Sequence, residues 1–408
     1  MGKYPVSPLA PATFPALPQI AGVTFSSVEA GVRYAGRTDL MMACLAPGTT
    51  MAGVFTRSST RSAPVLDCQD KIEHHSDAGA AIIVNSGNAN AFTGKNGLAT
   101  TRAVTSAAAA VLGLPQDRIF TSSTGVIGES LPAERITAKL GELSETQGAD
   151  KIADAAAAIM TTDTFPKGAT AQIEIDGKPV LIAGIAKGSG MIEPDMGTML
   201  VYIFTDVGID RAALQSMVSA TSDETFNCIT VDSDTSTSDT LLVAATGASG
   251  VVVDAQNTVF RTALHEVMLD LAHQVVKDGE GATKFVEIEV TGAVSAAEAR
   301  VHAKSIANSP LVKTAIAGED PNWGRVVMAI GKSGAQADRD LVTIRFGEIL
   351  VADKGWVSET YREEDGAAYM KGQDIKISVD LGIGDGCSTV WTCDLTHQYI
   401  TINADYRS

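Results

Sequence analysis

The chain has 408 residues, 45% hydrophobic and 19% charged, a balance that supports a packed core and excludes both a disulfide-stapled miniprotein and extensive disorder. Its 31 Lys and Arg against 48 Asp and Glu give a formal net charge of −17, a field that repels phosphate backbones and anionic lipid, so no nucleic acid partner is expected. No apolar run reaches the roughly 18–20 residues that span a bilayer, and segment 1–19 lacks a signal-peptide core, so no membrane is expected and a cytoplasmic location is.

The five cysteines, Cys44, Cys68, Cys228, Cys387 and Cys393, are scattered without a CxxC pair and read as small buried fillers. The six histidines form no HxxxH or HExxH spacing, so no metal is expected. The 38 glycines, set against only 5% aromatics, favour tight turns and small-substrate chemistry.

In chain order, the β-branched or apolar runs 20–25, 51–55, 80–85 and 118–122 read as strands. Between the last two, the Ala-rich stretch 98–112 reads as a helix stopped by Gly113 and Pro115. Ser130, with Pro132 and Glu134 behind it, reads as the N-cap of a helix running to about Leu143, and another helix is expected over 149–160. A strand over 179–186 leads into the turn Lys187-Gly188-Ser189-Gly190, the segment 191–197, and an apolar run over 198–205. Asp210 caps a helix to about Ser219. Leu264, Val267, Met268, Leu271 and Val275 fall at helical spacing, with Gly279 as the stop. From Phe285 the pattern restarts as strand, Ala-rich helix over 296–307 and strand over 341–346, which places a domain boundary near 283. The expected division is a catalytic α/β domain over 1–283 and a smaller α+β domain over 284–408.

The stretch from Lys187 to Leu200 carries most of the chemical information. A turn with Gly188, Gly190, Pro194 and Gly197 runs straight into an apolar strand whose first residue is Thr198. A Thr hydroxyl can attack the preceding carbonyl when the backbone is strained, giving an ester that water opens to leave Thr as a new N-terminus. The freed α-amine, with a reference pKa of about 7.7–8.0, can then take the Oγ proton near neutral pH. A plain glycine loop before a strand is the alternative reading of these residues.

Several distinctive segments stand in order along the chain: Val54-Phe55-Thr56-Arg57, 85–90 (NSGNAN), 122–128 (SSTGVIG), 160–164 (MTTDT) and 187–200. They are followed by 234–239 (DTSTSD), 277–282 (KDGEGA), 308–313 (NSPLVK), 320–325 (DPNWGR) and Ile402-Asn403-Ala404. Taken together, the sequence resembles the ornithine acetyltransferase family, the bifunctional glutamate and amino-acid acetyltransferases of the cyclic arginine pathway, over almost the whole chain. The resemblance implies an α/β sandwich of the self-processing aminopeptidase/ornithine acetyltransferase type, with a smaller C-terminal α+β domain. It implies cleavage between Gly197 and Thr198 into an alpha chain 1–197 and a beta chain 198–408, with Thr198 as acyl acceptor. Gly197 stands where the family commonly has Ala, which leaves the carbonyl unhindered but adds backbone freedom.

The same resemblance assigns Thr124 and Gly125 to the oxyanion site and Lys187 to the substrate carboxylate. It assigns Thr161 to a further substrate contact, with Thr162 beside it as a second candidate hydroxyl. Glu280, Asn403 and Ser408 match the remaining substrate contacts. The implied reaction moves acetyl from N2-acetylornithine to glutamate by a ping-pong acetyl-threonine route without a cofactor, with acetyl-CoA as a possible second donor. The implied assembly is a heterotetramer of two alpha and two beta chains. A self-processed amidohydrolase or aminopeptidase of the same fold is the competing reading. Asp232, Asp234 and Asp239 read as a hydrogen-bonded turn, Asn85, Asn88 and Asn90 as a buried turn near the site, and Trp323 as a packing anchor between units.

Overall fold

Alternating side chains on the first strands already demand two covered faces. In the computed structural model, which describes residues 5–74, 76–193 and 199–404, the run 40–45 sends Leu40 and Met42 into one core and Met41, Ala43 and Leu45 into another. Among the described residues the chain forms two compact units. The first holds 11–227 and 235–275, and the second holds 5–10, 228–234 and the chain from Val276 onward.

The first unit opens with β1 (Val23–Val28), β2 (Leu40–Leu45), β3 (Thr50–Phe55), α1 (Ala63–Lys71), β4 (Ala80–Asn88) and α2 (Gly94–Leu112). It continues with β5 (Ile119–Val126), α3 (Ala133–Thr137), α4 (Leu140–Glu145), α5 (Ile152–Ala158), β6 (Lys167–Ile175) and β7 (Lys178–Lys187). After these come β8 (Leu200–Thr205), β9 (Gly208–Ile209), α6 (Arg211–Glu224), β10 (Thr240–Ala245), β11 (Val252–Val253) and α7 (Thr258–Lys277). One sheet has the order β1-β2-β4-β5 and a second β3-β10-β8-β7-β6. The main core lies between them, with Phe25 of one sheet edge-on to Phe204 of the other at 5.0 Å. Each such aromatic or Leu side chain contributes about 1.5–3 kcal/mol by leaving water. Val104 and Ala108 of α2, with Ile136, Leu140 and Leu143, cover the far face of the first sheet.

Both edges of the second sheet are closed by the same device. Gln215 of α6 exchanges two hydrogen bonds with the Gly53 backbone on β3 (3.1 and 2.9 Å). Gln274 of α7 does so with Gly168 on β6 (3.1 and 2.9 Å). A side-chain amide thus satisfies edge groups that would otherwise recruit another strand. The central strand β8 is buried at all six residues. This layered arrangement is the α/β sandwich expected from the sequence.

The second unit comprises β12 (Phe285–Ala293), α8 (Ala296–Ala307), α9 (Pro310–Ala317), α10 (Trp323–Gly331), β13 (Thr343–Phe346) and β14 (Ile349–Asp353). It ends with β15 (Trp356–Val357), α11 (Glu363–Met370), β16 (Asp374–Asp380), β17 (Gly386–Cys393) and α12 (His397–Ala404). Its sheet runs β15-β14-β13-β16-β12-β17. On β12, Val286, Ile288 and Val290 enter the core, while Glu287 and Glu289 pair with Lys376 at 2.9 and 3.2 Å. Ser295, Ser309 and Asn322 cap α8, α9 and α10 by accepting backbone N–H groups, each worth about 1 kcal/mol.

Two expectations need correction. The helix read from Ser130 to Leu143 is two short helices: the first has Pro132 at its N-cap position without a side-chain bond, and the turn tightens at Lys139, whose N–H reaches back only to Ile136, before α4 begins. Ser130 instead offers its carbonyl to Asn88 (3.2 Å). Cys387 is exposed, because it lies near the start of the edge strand β17; Cys68, Cys228 and Cys393 are buried as expected. Trp323 packs against the core of the second unit. Among the described residues no helix is long and apolar enough to cross a membrane.

Candidate active site

Thr124 and Gly125 lie near the end of β5, opposite Ser86 and Gly87 of the parallel strand β4. The approach there is too close for any side chain. A Cβ on Gly125, where φ is +131°, would sit 2.3 Å from the Gly87 carbonyl carbon and 2.6 Å from Asn88 N. Only glycine fits, in both conformation and space.

Buried amides and hydroxyls fasten this strand end. Ser123 Oγ donates to Asn85 Oδ1 (2.6 Å), Asn85 Nδ2 to the Asn88 carbonyl (2.9 Å), and Asn90 N to Asn88 Oδ1 (2.8 Å). The asparagine motif is therefore the buried turn that was expected. Behind Thr124's neighbour, Ser86 Oγ donates to the Ala158 carbonyl (2.9 Å), and Arg37 donates to Ser86 Oγ (3.1 Å) and to the Met160 carbonyl.

Lys187, the last residue of β7, donates from Nζ to Thr124 Oγ1 at 3.0 Å. A hydroxyl has one proton and two lone pairs, so an ammonium on one lone pair leaves the Thr124 proton to serve another acceptor. That is the polarity an oxyanion donor needs. Lys187 also faces Leu200 across the β7–β8 ladder, and β8 begins there. Met199, the residue after Thr198, is buried, and its carbonyl accepts from Thr240 N at 3.0 Å. Gly197 and Thr198 themselves lie outside the described residues, as does Ser408.

Thr161 and Thr162 are both half-buried just beyond α5. Thr161 N donates to Asp163 Oδ2 at 2.9 Å, and Asp163 Oδ1 accepts from Gly188 N at 2.7 Å, so one carboxylate joins Thr161 to the residue next to Lys187. Asp163 also pairs with Lys167 at 2.7 Å, and both side chains are fully buried. Burial by itself would raise the Asp163 carboxyl; the Lys167 and Lys187 charges outweigh it and hold the group well below the usual carboxylate range.

In the second unit, Glu280 follows α7 on a glycine turn and is buried. Asn403 of α12 donates from Nδ2 to Glu280 Oε2 at 2.6 Å and to the Tyr399 carbonyl at 3.0 Å. Gly281, φ +77°, allows α12 to lie against this turn, since a Cβ there would be 2.7 Å from Tyr399 N. Tyr399 donates to Asp232 Oδ2 at 3.2 Å, and burial followed by the Asp232 charge pushes its phenol upward. Asp232 also accepts from Asp234 N (3.4 Å), the turn geometry expected of this acidic segment.

The structure thus joins Thr124 to Lys187, links Thr161 to that corner, and pairs Glu280 with Asn403. Sequence reasoning missed Asp163 and Lys167. Their i,i+4 spacing was visible, but such pairs are ordinarily solvated, and nothing local marks this one as buried.

A model of the ArgJ family matches residues 24–408. The chain is 70% identical over 403 residues to the arginine biosynthesis bifunctional protein ArgJ of Ruegeria pomeroyi, covering 99% of this chain and 98% of that protein. It is 53% identical over 413 residues to the protein of the same name from Nitrobacter winogradskyi, covering 99% of each. Among solved structures, the arginine biosynthesis bifunctional protein ArgJ of Bacillus halodurans is 44% identical, covering 51% of this chain and 99% of that one, with a TM-score of 0.49.

Proposed function

The chain belongs to the ArgJ family, and from that membership and the Thr124–Lys187 corner we propose a self-processing acetyltransferase of arginine biosynthesis that moves acetyl from N2-acetylornithine to glutamate. The observation that carries the reading is the 3.0 Å bond between Lys187 and Thr124 beside the start of β8, two residues after Thr198. The precursor cleaves between Gly197 and Thr198. The freed Thr198 amine takes the Oγ proton, and Oγ attacks the acetyl carbonyl of acetylornithine. Thr124 Oγ–H and the Gly125 N–H donate to the oxyanion, a contribution of roughly 3 kcal/mol per donor. The acetyl C–N bond then breaks as the departing ornithine nitrogen takes up the proton, leaving acetyl on Thr198. Glutamate reverses these steps: its amine attacks the ester and loses a proton as Thr198 Oγ regains one.

In this reading Lys187 holds the α-carboxylate that both substrates share, and Thr161, Glu280, Asn403 and Ser408 complete the substrate contacts. Acetyl-CoA as a second donor accords with the word bifunctional in the relatives' names. No cofactor enters the reaction. The enzyme works in the cytoplasm as two alpha and two beta chains, with domains over 1–283 and 284–408.

The test is maturation together with kinetics. Wild type should give fragments of about 20 and 22 kDa, the second beginning at Thr198, and Thr198→Ala should stay one chain. Double-reciprocal plots should be parallel, and acetylornithine alone should add about 42 Da, one acetyl group, to the second fragment. Intersecting lines without that adduct would overturn the acetyl-threonine route, and hydrolysis outpacing transfer in the presence of glutamate would favour the amidohydrolase.

A further inference from the structure

Asp163 is a fully buried carboxylate that meets three separate segments. It accepts from Thr161 N beyond α5 (2.9 Å), from Lys167 Nζ at the start of β6 (2.7 Å), and from Gly188 N at the end of β7 (2.7 Å). A buried charge must be neutralised where it stands. Lys167 does this, with its ammonium also bonded to the Phe165 carbonyl (3.3 Å) and lying 4.8 Å from the Phe165 ring centre. Lys187 adds a second positive charge that acts on Asp163, and its ammonium donates to Thr124 Oγ1 at 3.0 Å.

We propose that Asp163 is a positioning residue whose single carboxylate sets the Thr161 and Lys187–Gly188 sides of a corner that takes an amino-acid α-carboxylate, with Lys167 as its buried counter-charge. The assignment to an α-carboxylate substrate rests on the function proposed above; the anchoring of Thr161 and Gly188 does not.

Two variants test this. Lys167→Met leaves the buried Asp163 carboxylate without its counter-charge, so KM for acetylornithine and glutamate should rise together by about tenfold or more. The paired change Asp163→Asn with Lys167→Met removes both buried charges and so avoids leaving either alone. An Asn oxygen can accept from Thr161 N or Gly188 N but its amide opposes the other, so KM should rise about five- to tenfold with kcat within about threefold. Hydrogen exchange supplies the readout that is independent of activity: the Thr161 and Gly188 amides should lose protection in the paired variant while the β8 amides keep theirs.

Unchanged protection at Thr161 and Gly188 would overturn the anchoring role whatever the enzyme does. Lost protection with wild-type KM for both substrates would overturn the positioning role. If wild type transferred no acetyl, the function proposed above would fall, and exchange would still decide whether Asp163 anchors the corner.

Discussion

The two groups of candidate site residues are built in different ways. Thr124 lies near the end of β5 and Lys187 ends β7, and around them the Gly125–Gly87 contact, the asparagine turn and the Asp163–Lys167 pair leave little freedom. Glu280 and Asn403 sit on a turn and on the last described helix, where Asn403 is exposed and its hold on Glu280 is one 2.6 Å bond. Interior packing and a compensated buried charge preorganise the first group, whereas the second joins a buried glutamate on a turn to an exposed asparagine on α12. Rigid support of this kind suits groups that must stabilise a transition state without reorganising.

Breaking the buried pair should have the largest effect. Asp163→Asn alone leaves Lys167 charged in a fully buried site, so urea unfolding should show a loss of about 3–5 kcal/mol. The pH dependence follows from the lowered carboxyl. A folded value below the unfolded one gives stability that is fully present above about pH 4 and lost as pH falls toward the folded value. Acid titration of wild type should therefore show a steeper loss of stability below about pH 4 than titration of the paired Asp163→Asn, Lys167→Met variant. Equal slopes would show that the pair contributes no such term.

Removing the hydroxyl of Thr124 comes next. In fully processed enzyme, Thr124→Ala should lower kcat about 100-fold or more with KM little changed, because the donor acts mainly in the transition state. Steady-state kinetics on the mature fraction checks this, and a retained kcat would remove Thr124 from the oxyanion site. The smallest change belongs to the second group. Asn403→Ala should raise KM by about three- to tenfold and shift stability by less than about 1 kcal/mol, since the side chain is exposed. A large stability loss there would show that Asn403 holds α12 in place more than it serves the substrate.

The local signals that survived are those whose physics is complete within a few residues. Asp210 caps α6 through Ala212 N and Ala213 N, as its position before an apolar helix required. Gly113 ends α2 in the left-handed conformation at φ +66°. The run before Thr205 became the central strand β8 because every one of its residues is apolar or neutral enough to be covered on both faces. The candidate residues Thr124, Lys187, Glu280 and Asn403 came from ordered motifs and not from local physics, and their pairings were invisible: 63 residues separate Lys187 from Thr124, and 123 separate Asn403 from Glu280.

The strand β2 shows the same boundary from the other side. Leu-Met-Met-Ala-Cys-Leu is apolar without alternation and poor in β-branched residues, so its strand character appears only when neighbours β1 and β4 bond to both of its edges. Asp163 and Lys167 are the sharper case. By itself the sequence determines an acid and a base four residues apart, along with the composition, caps and stops of the surrounding elements. Only the tertiary structure decides that this pair leaves water, because burial depends on which distant strands close over it, and once buried the carboxylate must take its remaining hydrogen bonds from Thr161 and Gly188.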